Sequence, residues 1–433
     1  MTAFARAFIA ACLCMVVAFA PAQADANDGE TISYRVKRGD TLFSLADRYF
    51  VGRHVVSQVA RQNNIRNSNL IATGRLIRIP RSLLKYRDVE LKVRSFSGPS
   101  RVSDKAPVIG ASLKEGDRVV TGANGFIRFQ GDRGAVVSIP SNTSAQLVRA
   151  RQYILGDTLD VDFRISKGRG EVVAPKLRGQ ERFRVRTPMA VTAVRGTQFR
   201  VAHDDDARTS IAEVTEGAVA VDAGGQSGLA ESGFGVPLTE AGVGDPEALL
   251  PEPAITDPGS VQTRENVSFE IVPLSGASQY RTQIANDAGF TEIIEENVDA
   301  GTEAEFSSLP NGTFFVRTRG VSPTGVEGFS SEAYSFKRKR LGVSAEASPS
   351  VLADGFKFAW LGEGEGDSSY AFQLWNEQAP GHPIVDEVGV QDGGLIVTGL
   401  EPGKYVWRVA AIQVDADGLL KVWSPEQKLT VSN

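Results

Sequence analysis

YRVKRGDTLFSLADRYFVGRHVVSQVARQNNIRNSNLIATGRLIRIP, residues 34–80, changes hydrophobic period twice within one short stretch. Tyr34 and Val36 alternate with Arg35 and Lys37, the period-2 pattern of a strand with one buried face. Gly39-Asp40 breaks that strand, and Thr41 stands where a hydroxyl caps a helix. Leu42, Leu45, Ala46 and Tyr49 then fall at i, i+3, i+4 and i+7, one apolar stripe of a helix of about two turns. Gly52 ends it. Val56, Val59 and Ala60 give a second stripe, followed by Asn63-Asn64, residues that tolerate a left-handed backbone after a helix. Ile77 and Ile79 return to period 2 before Pro80. The order strand, helix, helix, strand is small for an independent core, so the two strands are expected to pair.

These marks together resemble the lysin motif (LysM): Gly39-Asp40-Thr41-Leu42 after the strand, Leu45-Ala46 in the first helix, Asn63-Asn64-Ile65 after the second, and Gly74…Ile77-Arg78-Ile79-Pro80 at the close. The helix-to-helix segment, residues 49–55, is slightly longer than the commonest form of the family. The resemblance implies binding to N-acetylglucosamine-containing glycans, in bacteria peptidoglycan. It places the glycan groove between Gly39, Asp40, Thr41 and Leu42 on one side and Asn64, Ile65 and Arg66 on the other. An acetamido sugar needs a small apolar floor flanked by backbone donors and acceptors, and Gly39 lets the backbone come close. Turn formation and helix capping account equally well for Asp40 and Thr41.

The chain has 433 residues and a net charge of −5, with the hydrophobic content of a globular protein of about three or four domains. Residues 1–24 read as a secretory signal: Arg6, an apolar run over 8–20, and Ala22-Gln23-Ala24 before Asp25. No other run is long and apolar enough for a membrane helix. Cys12 and Cys14 both lie inside the signal, which leaves the mature chain without thiol chemistry. Ile9-Ala10-Ala11-Cys12 resembles a lipoprotein box, but the apolar run continues past Cys12, which argues against lipidation. The small net charge hides two opposite halves. Residues 31–80 hold 9 Lys and Arg against 2 Asp and Glu, residues 81–200 hold 23 against 11, and residues 201–433 hold 14 against 36. A basic front half favours a polyanionic surface such as murein with its peptide carboxylates, and export argues against nucleic acid.

Residues 86–223 predict a basic all-β domain. Leu159, Val161, Phe163 and Ile165 alternate with polar residues, as do Phe183 and Val185 between arginines. Ile127/Phe129, Val137/Ile139, Phe199/Val201 and Val219/Val221 add short strands, which predicts a sandwich or roll. Leu113-Lys114-Glu115-Gly116-Asp117-Arg118-Val119, Phe183-Arg184-Val185-Arg186-Thr187-Pro188, Val194-Arg195-Gly196-Thr197-Gln198-Phe199 and Val214-Thr215-Glu216-Gly217-Ala218-Val219 resemble the FecR family. That family's regulators carry a cytoplasmic segment and membrane helix where this chain has a lysin motif. The resemblance therefore implies a periplasmic module that contacts another protein, with no catalytic role.

Residues 224–258, rich in Gly, Pro, Ala and Glu, are expected to be an extended linker. After them Leu309-Pro310-Asn311-Gly312-Thr313-Phe314 answers Leu400-Glu401-Pro402-Gly403-Lys404-Tyr405, and Tyr280…Gln283…Asn286 answers Tyr370…Gln373…Asn376. A duplicated unit of this length predicts two β-sandwich modules, 259–338 and 339–433, resembling fibronectin type III. Trp375 alternates out of phase with Tyr370, Phe372 and Leu374, so its ring is expected to pack on the surface of its own module, with a second contact for glycan or partner as the alternative.

An enzyme is not expected. The three histidines, His54, His203 and His382, are widely separated, whereas zinc hydrolases cluster their ligands. His203-Asp204-Asp205-Asp206 reads as an acidic hairpin tip. The expected fold class is mainly β and multidomain: a small βααβ LysM domain at 31–81, an all-β FecR-like domain and two β-sandwich modules. The expected function is a periplasmic, non-enzymatic anchor or adaptor bound to peptidoglycan glycan strands, without cofactor or metal. A FecR-type sensor contacting an outer-membrane receptor, or a scaffold for a cell-wall hydrolase, is the alternative.

Overall fold

The computed structural model describes residues 30–432 except 195, 308, 353, 354 and 417. The expected signal with Cys12, and Arg195 of the FecR-like motif, lie outside the described residues. The chain divides into two compact units: one runs to Arg87 and includes Tyr153–Thr158, and the other comprises Asp88–Gln152 and Leu159 onward.

In the first unit, β1 (Thr31–Arg35) pairs antiparallel with β2 (Leu76–Pro80), setting Ile32 opposite Ile79 and Tyr34 opposite Ile77. Between them lie α1 (Leu42–Tyr49) and α2 (Val56–Gln62). Thr41 caps α1 reciprocally with Ser44: Ser44 N–H donates to Thr41 Oγ1 at 3.0 Å, and Thr41 N–H donates to Ser44 Oγ at 2.9 Å. Leu42, Leu45, Val59, Ile77 and Ile79 are fully enclosed. The core also takes in Tyr153 and Leu155, more than seventy residues downstream of β2. The Tyr153 ring carries the guanidinium of buried Arg81 at 5.5 Å.

The second unit begins with a two-layered β domain. One layer contains Arg118–Thr121, Arg182–Arg186, Ala190–Val194, Ala218–Ala223 and Gln226–Glu231. The other contains Leu91–Ser97, Phe126–Gly131, Val136–Ile139, Gln198–Asp204, Thr209–Glu216 and Phe234–Thr239. The long strand Thr158–Val173 contributes its first half to one layer and its second half to the other. Phe129, Phe163, Phe183 and Phe199 fill the space between them. The alternating apolar residues noted above are therefore inward-facing.

The expected linker is not one. Residues 226–248 form four strands, two of them long, that pair onto the β domain. Gly224, Gly225 and Gly233 take positive φ at the turns between strands, so the glycine content reflects tight turns rather than slack chain. Further on, Ile255 bridges to Ile271 in the core of the first sandwich module.

Each repeat is a two-sheet sandwich. In the second, Leu341–Pro349, Gly355–Gly364 and Gly394–Thr398 face Pro383–Val390, Ser369–Asn376, Gly403–Asp415 and Gly418–Trp423. The repeated residues do equivalent work. Arg317 donates to Gln283 Oε1 at 2.7 Å in the first module, and Arg408 donates to Gln373 Oε1 at 2.9 Å in the second. Tyr405 closes the corner into its strand by donating to Glu401 O at 2.7 Å.

The first sandwich is joined to the β domain by buried charge. Arg169, Arg200, Arg281 and Arg319 interleave with Glu171, Glu213, Glu296 and Glu327, with Arg317 beside them. Glu327, wholly enclosed, lies 3.1 Å from Arg169, 2.6 Å from Arg281 and 2.7 Å from Arg319. Its own N–H donates to Glu213 Oε1 at 2.8 Å. Burial pushes the Glu171 carboxyl up, but Arg319, Arg317 and Arg200 outweigh it and bring it down to about 2. Arg317, matched by the amide of Gln283 rather than by a carboxylate, is taken down by burial to about 10.

Candidate functional site

The residues expected at the glycan groove come together at one edge of the first unit. Leu42 N–H donates to Ser68 O at 2.8 Å, which holds the turn before α1 against the loop after α2. Gly39 takes φ +86°, with open space where a side chain would project. Asn64 takes φ 52°, and Ile65 N–H returns to Ala60 O at 2.9 Å, the αL ending that its Asn-Asn sequence suggests. Arg66 is exposed.

The expected residues divide by what their side chains do. Leu42 and Ile65 are buried in the core, so their approach to a ligand is through the backbone. Asp40 is also buried and is saturated from within. Tyr34 OH donates to it at 2.7 Å, Lys37 N–H at 2.8 Å and Arg48 at 2.5 Å. Burial raises the Asp40 carboxyl, but these three donors outweigh it and hold it below the usual carboxylate range. Burial and the bond to Asp40 push the Tyr34 phenol up to about 12. Asp40 thus staples the first turn to β1 and α1, and Thr41 is occupied as the helix cap. Gly39, Asn64 and Arg66 are left facing outward.

Two outward side chains escaped the sequence reading. Leu70 is 77% exposed on the loop that accepts from Leu42, and Phe43, the second residue of α1, is 38% exposed. An isolated leucine in Asn67-Ser68-Asn69-Leu70 is the one signal that marks it: an apolar side chain in a polar turn that no core claims.

Elsewhere, Trp375 packs on the surface of its own module, the first of its two expected readings. It does point to the outer face of its sheet, but it is buried there, 9% exposed, with the Arg408 guanidinium 5.4 Å from its ring. With so little of its surface exposed, the ring offers no open contact. His203 stands beside the turn between Gln198–Asp204 and Thr209–Glu216, its Nδ1 3.0 Å from Ser210 Oγ. Among the described residues no three His, Cys, Asp or Glu side chains converge as a metal site would require. No described helix is long and apolar enough to cross a membrane.

Two protein families match parts of the chain. The LysM domain family matches residues 34–80, and the family described as FecR protein matches residues 117–220. The chain carries a LysM domain followed by a FecR region. An uncharacterised protein of Deinococcus radiodurans is 39% identical over 56 residues, 13% of this chain and 22% of its own length. The chain thus spans about a fifth of that relative. A putative anti-sigma factor from Parabacteroides distasonis aligns at 18% identity over 30% of this chain and 57% of its own, with a TM-score of 0.24. Fibronectin(III)-like modules of Clostridium thermocellum CbhA align at 15% identity over 42% of this chain and 94% of theirs, with a TM-score of 0.21.

Proposed function

We propose that the protein is a non-enzymatic anchor or adaptor of the bacterial envelope, exported to the periplasm, that holds N-acetylglucosamine glycan strands of peptidoglycan in the groove of its LysM domain. The observation that carries this reading is the LysM match at residues 34–80 on a unit whose two groove loops are locked together with Gly39, Asn64 and Arg66 outward. Saturation of Asp40 supports recognition through backbone groups and small apolar contacts, as an acetamido sugar requires. The FecR region supports a second role for the same molecule, contact with another envelope protein, and an outer-membrane receptor recovered from envelope extract would favour it.

The test is co-sedimentation of residues 25–433 with purified sacculi. Deleting residues 31–81 would expose Tyr153 and Leu155, so the comparison uses Arg66→Ala/Leu70→Asp, which changes only outward side chains. Pelleting of the unchanged chain and its loss in the variant are expected. A chain that stays in the supernatant at low ionic strength refutes the reading.

A further inference from the structure

Between the β domain and the first sandwich lies a cavity of about 310 Å³ that the buried charge cluster borders without filling. Arg200 and Arg319 reach its wall, but their charge is spent. Arg200 lies 2.6 Å from Glu213, and Arg319 lies 2.7 Å from both Glu171 and Glu327. Two further arginines line the cavity from opposite modules, Arg128 of Phe126–Gly131 and Arg317 of Gly312–Val321. Both are tied to Phe290. The Arg317 guanidinium lies 4.2 Å from the centre of its ring, and Arg128 Nη1 donates to its carbonyl at 3.2 Å. Phe290 takes φ 49°, a left-handed backbone that a bulky residue rarely adopts, and in that conformation its ring and carbonyl serve one arginine each.

Neither Arg128 nor Arg317 has a carboxylate at ion-pair distance among the described residues. Arg317 spends Nε and Nη2 on Gln283 Oε1, at 3.0 and 2.7 Å, and Arg128 bonds only the Phe290 carbonyl. Two carboxylates attract Arg128 from farther off, and both are engaged elsewhere. Glu171 accepts from Arg319 at 2.7 Å, and Asp287 accepts from the N–H groups of Gly289, Thr291 and Glu292. Burial lowers both guanidiniums, and Arg319, Arg200 and Arg128 lower Arg317 further, yet at about 10 it is still charged at neutral pH. Ser138 stands opposite Arg128 in register, Ser330 stands opposite Arg319, and both line the same cavity. Neither hydroxyl has a partner among the described residues.

We propose that this cavity binds a phosphate group, held between Arg128 and Arg317 and by the hydroxyls of Ser138 and Ser330. A phosphate dianion brings two charges to two guanidiniums that no carboxylate meets, and its tetrahedral oxygens reach donors on both modules. A monocarboxylate has one charge and two oxygens in a plane, which leaves part of the donor set unmet. At about 310 Å³ the cavity also has room for a small organic group on the phosphate. Because the anion bridges the two modules, its binding stabilises the junction that the ion-pair cluster forms.

Inorganic phosphate is titrated calorimetrically into residues 25–433 at constant ionic strength, with acetate as the comparison anion. The variants are Arg128→Gln, Ser138→Ala and the control Arg208→Ala, whose side chain is exposed beside Glu240. One phosphate per chain is expected, bound more tightly than acetate, unchanged in Arg208→Ala and weakened about tenfold in Arg128→Gln. No saturable binding, binding no tighter than that of acetate, or binding unchanged in Arg128→Gln overturns the site. The Ser138 hydroxyl holds no other described residue, so Ser138→Ala decides the matter if Arg128→Gln melts early. Weaker binding by that variant supports the site, and equal binding overturns it. Glycerol phosphate then tests the source of the group. Tighter binding than inorganic phosphate assigns the cavity to a phosphate ester, and equal or weaker binding assigns it to the free ion.

Discussion

Removing the Glu327 carboxylate should be among the most damaging single changes in the second unit. The side chain is wholly buried within 3.1 Å of three arginines, Arg169, Arg281 and Arg319. Glu327→Ala would leave Arg319, itself only 5% exposed, with Glu171 as its remaining partner. Arg169 would keep Glu213 at 3.2 Å, and Arg281 would keep Glu296 at 2.5 Å. Breaking a buried ion pair from one side costs about 3–5 kcal/mol, because the loss is dominated by the charge left uncompensated. Urea unfolding of the full chain, followed by tryptophan fluorescence and by limited proteolysis, separates the modules. All four tryptophans lie in the second sandwich, so fluorescence should change little while cleavage at the first sandwich junction moves to lower urea. A Glu327→Ala/Arg319→Ala pair should destabilise by less than the sum of the singles, since the second change removes the orphaned cation. If Glu327→Ala shifted junction protection by under about 1 kcal/mol, the cluster would not be what joins the modules.

Acid should open the same junction. Glu171 is held near 2 and Glu327 well below its ordinary value, so each binds its proton more weakly folded than unfolded. Their contribution is complete above the unfolded carboxylate pKa of about 4.3 and is lost as pH falls from there toward about 2, measurable as proteolytic susceptibility. Tyr153→Ala should destabilise the LysM unit by about 3–5 kcal/mol, seen as early loss of sacculus binding on heating. Thr41→Ala, which removes the cap of α1, should cost about 1 kcal/mol in the same melt without abolishing binding at low temperature. Trp375→Ala should leave sacculus binding unchanged, because the ring is already buried, with the Arg408 guanidinium against it.

Much of this architecture is legible in the sequence where a period does the speaking. The two helical stripes before and after Gly52, the inward Leu159-to-Ile165 alternation and the duplicated Tyr…Gln…Asn spacing all recur as elements, because each is a local pattern with one buried face. What stayed hidden depends on partners remote in sequence. Residues 226–248 do carry the alternation Phe234, Val236, Leu238, but it is short and interrupted by glycines and Pro237, and it is completed as strand only by the β domain it pairs with. Tyr153 belongs to the LysM core only because a distant loop returns to it. Asp40 carries the family's turn signature in sequence, yet only the converging Tyr34, Lys37 and Arg48 show that its oxygens are already taken.

Charge is where sequence reading is least informative, and this chain shows why. A count assigns the arginines of residues 164–200 to one basic surface, yet register divides them into two kinds. Arg200, with Arg169, is enclosed against Glu213 and Glu327, so its charge is spent inside the protein and is invisible to any ligand. Arg182, Arg184 and Arg186 lie against Asp160 and Asp162, while Arg164 beside them is exposed. Interactions screened by solvent weaken as ionic strength rises, whereas enclosed pairs are screened much less. The net charge of a segment therefore says little about what it attracts. What matters is how much of that charge remains at the surface, and register rather than composition decides it.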